Sequence, residues 1–211
     1  MKNLEELRTN YDKDRLEFKN LNKNPMIQFK IWFQKLNKKN DFNAFILSTF
    51  SELDGVNSRV VLLKDYNNNG FVFYTNYNSL KARQIDENNN VSMCFFWPDF
   101  QRQVRVNGIA IKTSSYVSDL YFSKRPRASQ LGAWASHQSQ VVDDKEVVRN
   151  KYNFYDKKFK KSLRIPRPEY WGGFLVKPSI IEFWQGGLDR MHDRFVYKKS
   201  RDCWSIDRLS P

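Results

Sequence analysis

The chain of 211 residues carries only two cysteines, Cys94 and Cys203, far apart in sequence. Cysteine this sparse excludes a disulfide framework and fits a reducing, cytoplasmic setting. Eight glycines and seven prolines exclude collagen-like and Pro/Gly linker chains. The glycines form neither G-x-G-x-x-G nor a Walker loop, which argues against Rossmann and P-loop nucleotide sites. There is no G-x-S-x-G nucleophile elbow either. The two histidines, His137 and His192, and the cysteines stand at no zinc-ligand spacing, so no metal site is expected. No apolar run approaches the roughly 18–20 residues of a membrane helix. The stretch from Met1 to Arg15 is charged almost throughout and does not read as a secretory signal.

Aromatic residues are abundant: Phe 17, Tyr 10 and Trp 6, or 16% of the chain. A disordered chain is depleted in these residues, and at this length folding buries roughly 70% of the unfolded surface. One domain over residues 1–211 is expected. Lys+Arg 36 against Asp+Glu 23 gives a net charge of +13. Such charge suits a nucleic-acid surface, but no recognised binding motif accompanies it. Asn-rich runs such as Asn67-Asn68-Asn69 and Asn88-Asn89-Asn90 point instead to compositional drift toward A-rich codons. Attraction of small phosphorylated ligands is a third reading and needs only a few of the charges.

Asn24-Pro25 reads as a helix start, with Met26, Phe29, Phe33 and Leu36 following at helical spacing, so residues 1–40 form an N-terminal helical segment. Ala44–Phe50 and Ser58–Lys64 read as strands. Asn67–Gly70 is a turn, and Phe71–Thr75 returns as the partner strand. Ser79–Glu87 reads as a helix capped by Ser79, and Val91–Trp97 as a strand. In Gln101–Lys112, Gln103, Arg105 and Asn107 alternate with Val104, Val106 and, past a bulge at Gly108, Ile109. Ser115–Lys124, Ser129–Ser136 and Asp143–Phe159 read as helices. Trp171–Val176, Ile180–Trp184, Arg194–Tyr197 and Trp204–Ile206 close the chain as the strands of region 170–211. Strands outnumber helices and most can join by hairpins, so the fold expected is mainly β, an antiparallel barrel or sandwich with peripheral helices.

The densest unusual stretch runs from Ile181 to Phe195. Gly186-Gly187 reads as a loop, after which Arg190, His192 and Arg194 alternate along an extended segment and share one face. Like charges on one face call for an anion nearby; a solvated hairpin rim balanced by Asp189 and Asp193 is the plainer alternative.

Glu182-Phe183-Trp184, the two glycines and Arg190-Met191-His192-Asp193-Arg194 together resemble the C-terminal signature of pyridoxamine/pyridoxine 5′-phosphate oxidases. Further blocks in family order are Arg59–Lys64, Phe73–Asn76, Arg102-Gln103-Val104, Arg125-Pro126-Arg127 with Ser129, Gly132-Ala133-Trp134, Gln138-Ser139 and Trp171–Phe174. The resemblance implies an FMN-binding split β-barrel and a homodimer with FMN at the subunit interface. It implies oxidation of pyridoxamine or pyridoxine 5′-phosphate to pyridoxal 5′-phosphate, with O2 reoxidising the flavin to give hydrogen peroxide. Arg59 and Lys81 then match FMN-phosphate positions, where charge-assisted bonds suit a dianion. Val60, Val61, Leu62, Leu63, Lys64, Tyr74, Thr75, Gln103, Gln138, Ser139, Trp184 and Arg194 match further flavin contacts. Lys64, Tyr121, Arg125 and Ser129 match substrate-phosphate positions. Arg190 and His192 match residues over the substrate ring, with Met191 between them, and Arg8 to Tyr11 resembles a segment covering the site. One position departs from the pattern: Leu80 stands where many members carry a second basic residue. Two rivals from other classes remain at this stage: another flavin-dependent split-barrel reductase or oxidase, and a non-enzymatic basic binding protein.

Overall fold

The computed structural model describes residues 3–6, 9–36, 41–201 and 203–211. Nine antiparallel strands form one sheet: β1 (Ala44–Ser51), β2 (Gly55–Leu62), β3 (Asp65–Asn67), β4 (Gly70–Asn76), β5 (Asn90–Trp97), β6 (Arg102–Lys112), β7 (Trp171–Gln185), β8 (Asp193–Ser200) and β9 (Cys203–Leu209). Five α-helices flank it: α1 (Pro25–Gln34), α2 (Leu80–Glu87), α3 (Ser115–Ser123), α4 (Arg127–Ala135) and α5 (Lys145–Lys158). Ahead of α1 the described residues hold only two single 3-10 turns, so the helical character expected of residues 1–40 is confined to α1 there. Among the described residues no helix is long and apolar enough to cross a membrane.

The strand order is β2-β1-β5-β6-β7-β4-β3, with β8 and β9 added beside β7. Strand β2 runs into β3 through Leu63 and Lys64, and the Lys64 N–H extends the β3–β4 pairing by donating to the Val72 carbonyl at 2.9 Å. The sheet curls around one apolar cluster in which Phe45, Leu47, Phe71, Phe73, Phe95, Val104, Val106 and Phe183 are almost wholly buried. Helix α1 contributes Phe29 and Trp32 to it. Its start follows local chemistry: Pro25 occupies the first turn and the Asn24 side chain accepts the Met26 N–H at 2.9 Å. A second cluster, built on Phe122, Leu131, Phe159 and Trp171, lies under α3, α4 and α5.

Several expected strands pair differently. β2 pairs with β1, whereas β4, expected to return against it, pairs with β3 and β7. Trp171–Val176 and Ile180–Trp184 are one continuous strand. The irregularity at Gly108 lies on the facing strand: Asn107 pairs with Ile180 and Gly108 with Pro178, leaving Ser179 as the extra residue. A bulge tolerates proline, which is why Pro178 does not end β7. Strand β6 keeps its alternation through Gly108, so Ile109 lies on the exposed face instead of joining Val104 and Val106. Gly108 is required because a Cβ there would collide with the Lys177 carbonyl.

Candidate active site

A cavity of about 530 Å³ opens where β2, β4 and the start of α2 meet, lined by Arg59, Val60, Val61, Leu62, Lys64, Tyr74, Thr75, Leu80, Lys81, Gln138 and Ser139. Lys81 is 8% exposed. Its Nζ lies 3.3 Å from each of three neutral acceptors, Thr75 Oγ1, Ser79 Oγ and Gln138 Oε1. The Ser79 hydroxyl makes no capping bond to α2; it faces Lys81 instead. Arg59 donates to Thr49 Oγ1 at 2.6 Å and to the Leu47 carbonyl at 3.2 Å. Burial, then the Arg59 charge, push Lys81 down to about 8, and burial lowers Arg59 as well. Among the described residues neither cation pairs with a carboxylate. Two neighbouring cations held by neutral acceptors are stabilised by an incoming anion. Ser139 holds a left-handed backbone at φ 70° on this wall, a conformation that costs a non-glycine residue energy and clusters at functional sites. Leu63, in contrast, is buried in the core and does not line this cavity.

A second cavity of about 350 Å³ shares Tyr74, Thr75 and Gln138 with the first and adds Arg125, Ser129 and Trp171. Tyr121 stacks on Tyr74 with centroids 3.9 Å apart, and Trp171 lies parallel to both. Helix α3 ends at Ser123, so Arg125 lies beyond it instead of one turn along from Tyr121. The guanidinium is placed by packing, 4.4 Å from the Trp171 ring centre. Burial lowers its pKa, and its Nη1 is buried with no hydrogen-bond partner among the described residues. A buried donor without a partner is costly, and this one belongs to a side chain lining an open cavity.

A third cavity, of about 480 Å³, is lined by Thr9, Asn10, Tyr11, Gly187, Asp189, Arg190 and His192. Here the expected extended segment is absent. Leu188–Arg190 is a tight turn with Asp189 at φ 51° and Arg190 at φ 63°. Alternation on one strand face therefore does not relate the three basic residues. Arg190 and His192 reach one cavity through the turn, whereas Arg194 lies on β8 and donates to Glu182 at 2.8 Å. The Gly187 N–H donates to His192 Nδ1 at 3.2 Å. Burial, then Arg190 and Arg194, hold His192 below its usual pKa. The ring is thus neutral at pH 7 with its proton on Nε2, and it presents a donor. Its centroid lies 4.7 Å from that of Trp184, and Tyr11 meets both rings edge-on. Met191 is 69% exposed and does not line this cavity. Arg8 lies outside the described residues.

Gln103, Trp184 and Arg194 line neither of the first two cavities. They stand in one lateral row across β6, β7 and β8, with Phe96 of β5 facing Gln103. Ile46 and Val60, opposite each other on β1 and β2, share this outer face and are exposed, as is Phe96.

A curled antiparallel sheet with an Arg–Lys cavity at one edge, its two cations without carboxylate partners among the described residues, is the architecture of a split-barrel protein. Residues 34–153 match the model of the family described as pyridoxamine 5′-phosphate oxidase, and residues 171–211 match the pyridoxine 5′-phosphate oxidase C-terminal dimerisation region. The chain belongs to the pyridoxine/pyridoxamine 5′-phosphate oxidase family. It is 44% identical over 211 residues to pyridoxine/pyridoxamine 5′-phosphate oxidase 2 of Hydrogenovibrio crunogenus, covering 99% of each chain. It is 43% identical over 210 residues to the pyridoxine/pyridoxamine 5′-phosphate oxidase of Haemophilus influenzae, again covering 99% of each. Among solved structures, PhzG from Burkholderia lata in complex with tetrahydrophenazine-1-carboxylic acid superposes with a TM-score of 0.88 at 24% identity, covering 96% of this chain and all of that one. A pyridoxamine 5′-phosphate oxidase-related, FMN-binding protein from Nostoc punctiforme gives 0.67 at 14% identity, covering 94% and 100%. These two likenesses bear on the fold, which is the split barrel.

Proposed function

We propose that the protein oxidises pyridoxamine or pyridoxine 5′-phosphate to pyridoxal 5′-phosphate, using FMN and O2 and releasing hydrogen peroxide. The observation that carries this reading is the pair of adjoining cavities, each with its own cation lacking a carboxylate partner and both sharing Tyr74, Thr75 and Gln138. One phosphorylated ligand needs one such site; a cofactor and a substrate, each with a phosphate, need two.

The first cavity fits FMN: the Arg59 and Lys81 cations suit its phosphate, and residues 60–62, 64, 74–75 and 138–139 form the walls around it. Bound FMN would supply the redox chemistry, that of a hydride acceptor for the substrate 4′ carbon that O2 can reoxidise. The side chains bind and orient. Arg125 directs its unpartnered Nη1 to the substrate phosphate, assisted by Ser129, Lys64 and the Tyr121 hydroxyl. Arg190 balances charge at the substrate's phenolic oxygen, and His192 donates to it from Nε2. Holding the two rings together turns an encounter into a positioned transfer.

The match of residues 171–211 to a dimerisation region supports a homodimer. The row of Gln103, Trp184 and Arg194 shares its sheet face with exposed Ile46, Val60 and Phe96. A second copy packed on that face carries this row, and the Arg190–His192 cavity beyond it, toward the other chain's FMN site. Anaerobic mixing with pyridoxine 5′-phosphate tests the reaction. Bleaching of the flavin absorbance, reversed by O2 with release of hydrogen peroxide, is expected; an unbleached flavin overturns the reading.

A further inference from the structure

Between the turn Pro98–Phe100 and strand β6 stands Gln101, with φ 53° and ψ 42°. The left-handed region is adopted most cheaply by glycine or asparagine, yet a longer amide occupies this position and is 4% exposed. Every side-chain hydrogen bond it makes goes to one distant segment. Oε1 accepts the Asp12 N–H at 2.9 Å and the Lys13 N–H at 3.0 Å, and Nε2 donates to the Asn10 carbonyl at 3.1 Å. The Gln101 carbonyl meanwhile accepts the Gly186 N–H at 2.8 Å. One residue therefore holds both the N-terminal segment and the glycine pair that opens the Arg190–His192 turn.

What this anchoring places is Tyr11. Residues 9 to 15 are exposed apart from Tyr11, which is half-buried. A Cβ on Gly186 would lie 2.7 Å from Tyr11 Cβ and 2.8 Å from Cγ, so the tyrosine packs directly on the glycine backbone. From there its ring meets Trp184 and His192. Three further ties hold the segment: Lys13 Nζ donates to the Asp99 carbonyl at 2.8 Å, Asp14 pairs with buried Arg102, and the Leu16 N–H donates to Asp193 at 3.0 Å. Of these, only Gln101 bonds on both sides of Tyr11.

We infer that Gln101 is a positioning residue that holds Tyr11 over the Arg190–His192 cavity and so helps to build the substrate-ring site. The inference rests on the reading that this cavity faces substrate. Gln101 itself touches neither substrate nor cofactor.

The test uses the full-length holoenzyme with Gln101→Ala, Gln101→Asn and Gln101→Glu. Asparagine tolerates the left-handed backbone but falls one methylene short of the N-terminal segment, so it separates loss of the anchor from loss of the turn. Glutamate keeps both acceptor bonds. Hydrogen exchange at the Asp12 and Lys13 amides is expected to accelerate in the Ala and Asn variants and to stay slow in the Glu variant. The KM for pyridoxine 5′-phosphate is expected to rise on the order of tenfold in the first two, the size of a lost buried hydrogen bond, with FMN affinity retained and most of the substrate affinity restored in the third. In a Tyr11→Ala background the Gln101→Asn change is expected to add almost nothing, because both act through the same ring. Unchanged exchange at Asp12 and Lys13 overturns the inference, and so do additive effects in the double variant. A normal KM in Tyr11→Ala alone would overturn it through its premise, and the single Tyr11 variant identifies that failure as belonging to the substrate reading.

Discussion

Lys81 enters its cavity as a base with a depressed pKa, about 8 against an ordinary 10.5. Between those values the unfolded chain binds more protons than the folded one, so the stability of the ligand-free protein rises as pH rises through that window. A bound phosphate pulls the other way and favours the ammonium form. Calorimetry in buffers of different ionisation enthalpy is expected to register proton uptake on FMN binding near pH 8, and Lys81→Met is expected to abolish it. Leu80 lines the same cavity; Leu80→Lys is expected to tighten FMN by at most ~1 kcal/mol, the range of a partly exposed charge pair. An unchanged dissociation constant would mean that the new ammonium does not reach the phosphate. Arg125 offers a sharper contrast, because its buried Nη1 has no partner. Arg125→Ala is expected to cost ~2–4 kcal/mol in kcat/KM for phosphorylated substrate. Thermal melting of the ligand-free protein should change little, since removing the unpartnered Nη1 offsets the loss of packing on Trp171. A normal KM would remove Arg125 from the phosphate site.

The turn between β7 and β8 carries the third cavity, and its geometry depends on glycine. A Cβ on Gly187 would collide with the Met191 carbonyl, and the same residue's N–H orients His192. Gly187→Ala is expected to lower stability by ~1–3 kcal/mol, as overpacking does, and to slow flavin reduction in stopped flow while FMN affinity holds. Arg190→Met and His192→Asn are expected to weaken substrate binding and slow reduction, the arginine change more strongly. Wild-type rates in both would take the pair out of the reaction. This turn also marks how far the sequence was legible. Period-two patterning located the body of most strands, because a half-buried strand must alternate; β6 shows this plainly. It misled at Arg190, His192 and Arg194, because two consecutive left-handed residues, neither of them glycine, have no compositional signature. It could not foresee that Trp171 would hold Arg125, or that Gln101 would reach residues 10 to 13, since both contacts join distant segments. The motif Arg-Met-His-Asp-Arg drew attention to Arg190 and His192, which share a cavity, but through a turn instead of the extended strand face expected of them.

At the scale of the whole molecule, the outer sheet face leaves Ile46 43%, Val60 68% and Phe96 50% exposed, an apolar surface with the character of an interface. Ile46→Glu is expected to yield monomers in sedimentation and to release FMN, whereas a monomer that keeps its flavin would separate the cofactor site from the dimer. The net charge of +13 adds a long-range attraction for phosphorylated ligands, which salt screens over about 8–10 Å at ordinary ionic strength. The wall made by Tyr74, Thr75 and Gln138 belongs to both adjoining cavities, and Gln138 Oε1 accepts from Lys81 Nζ at 3.3 Å and from the Thr75 hydroxyl at 3.2 Å. Whatever settles that amide for one ligand alters the surface offered to the other. Thermodynamic reciprocity then binds the two equilibria: the factor by which FMN changes the affinity for pyridoxal 5′-phosphate must equal the factor by which pyridoxal 5′-phosphate changes the affinity for FMN. A cell short of flavin would thus lose more than turnover, because its apoenzyme would also hold the phosphorylated vitamer with a different grip.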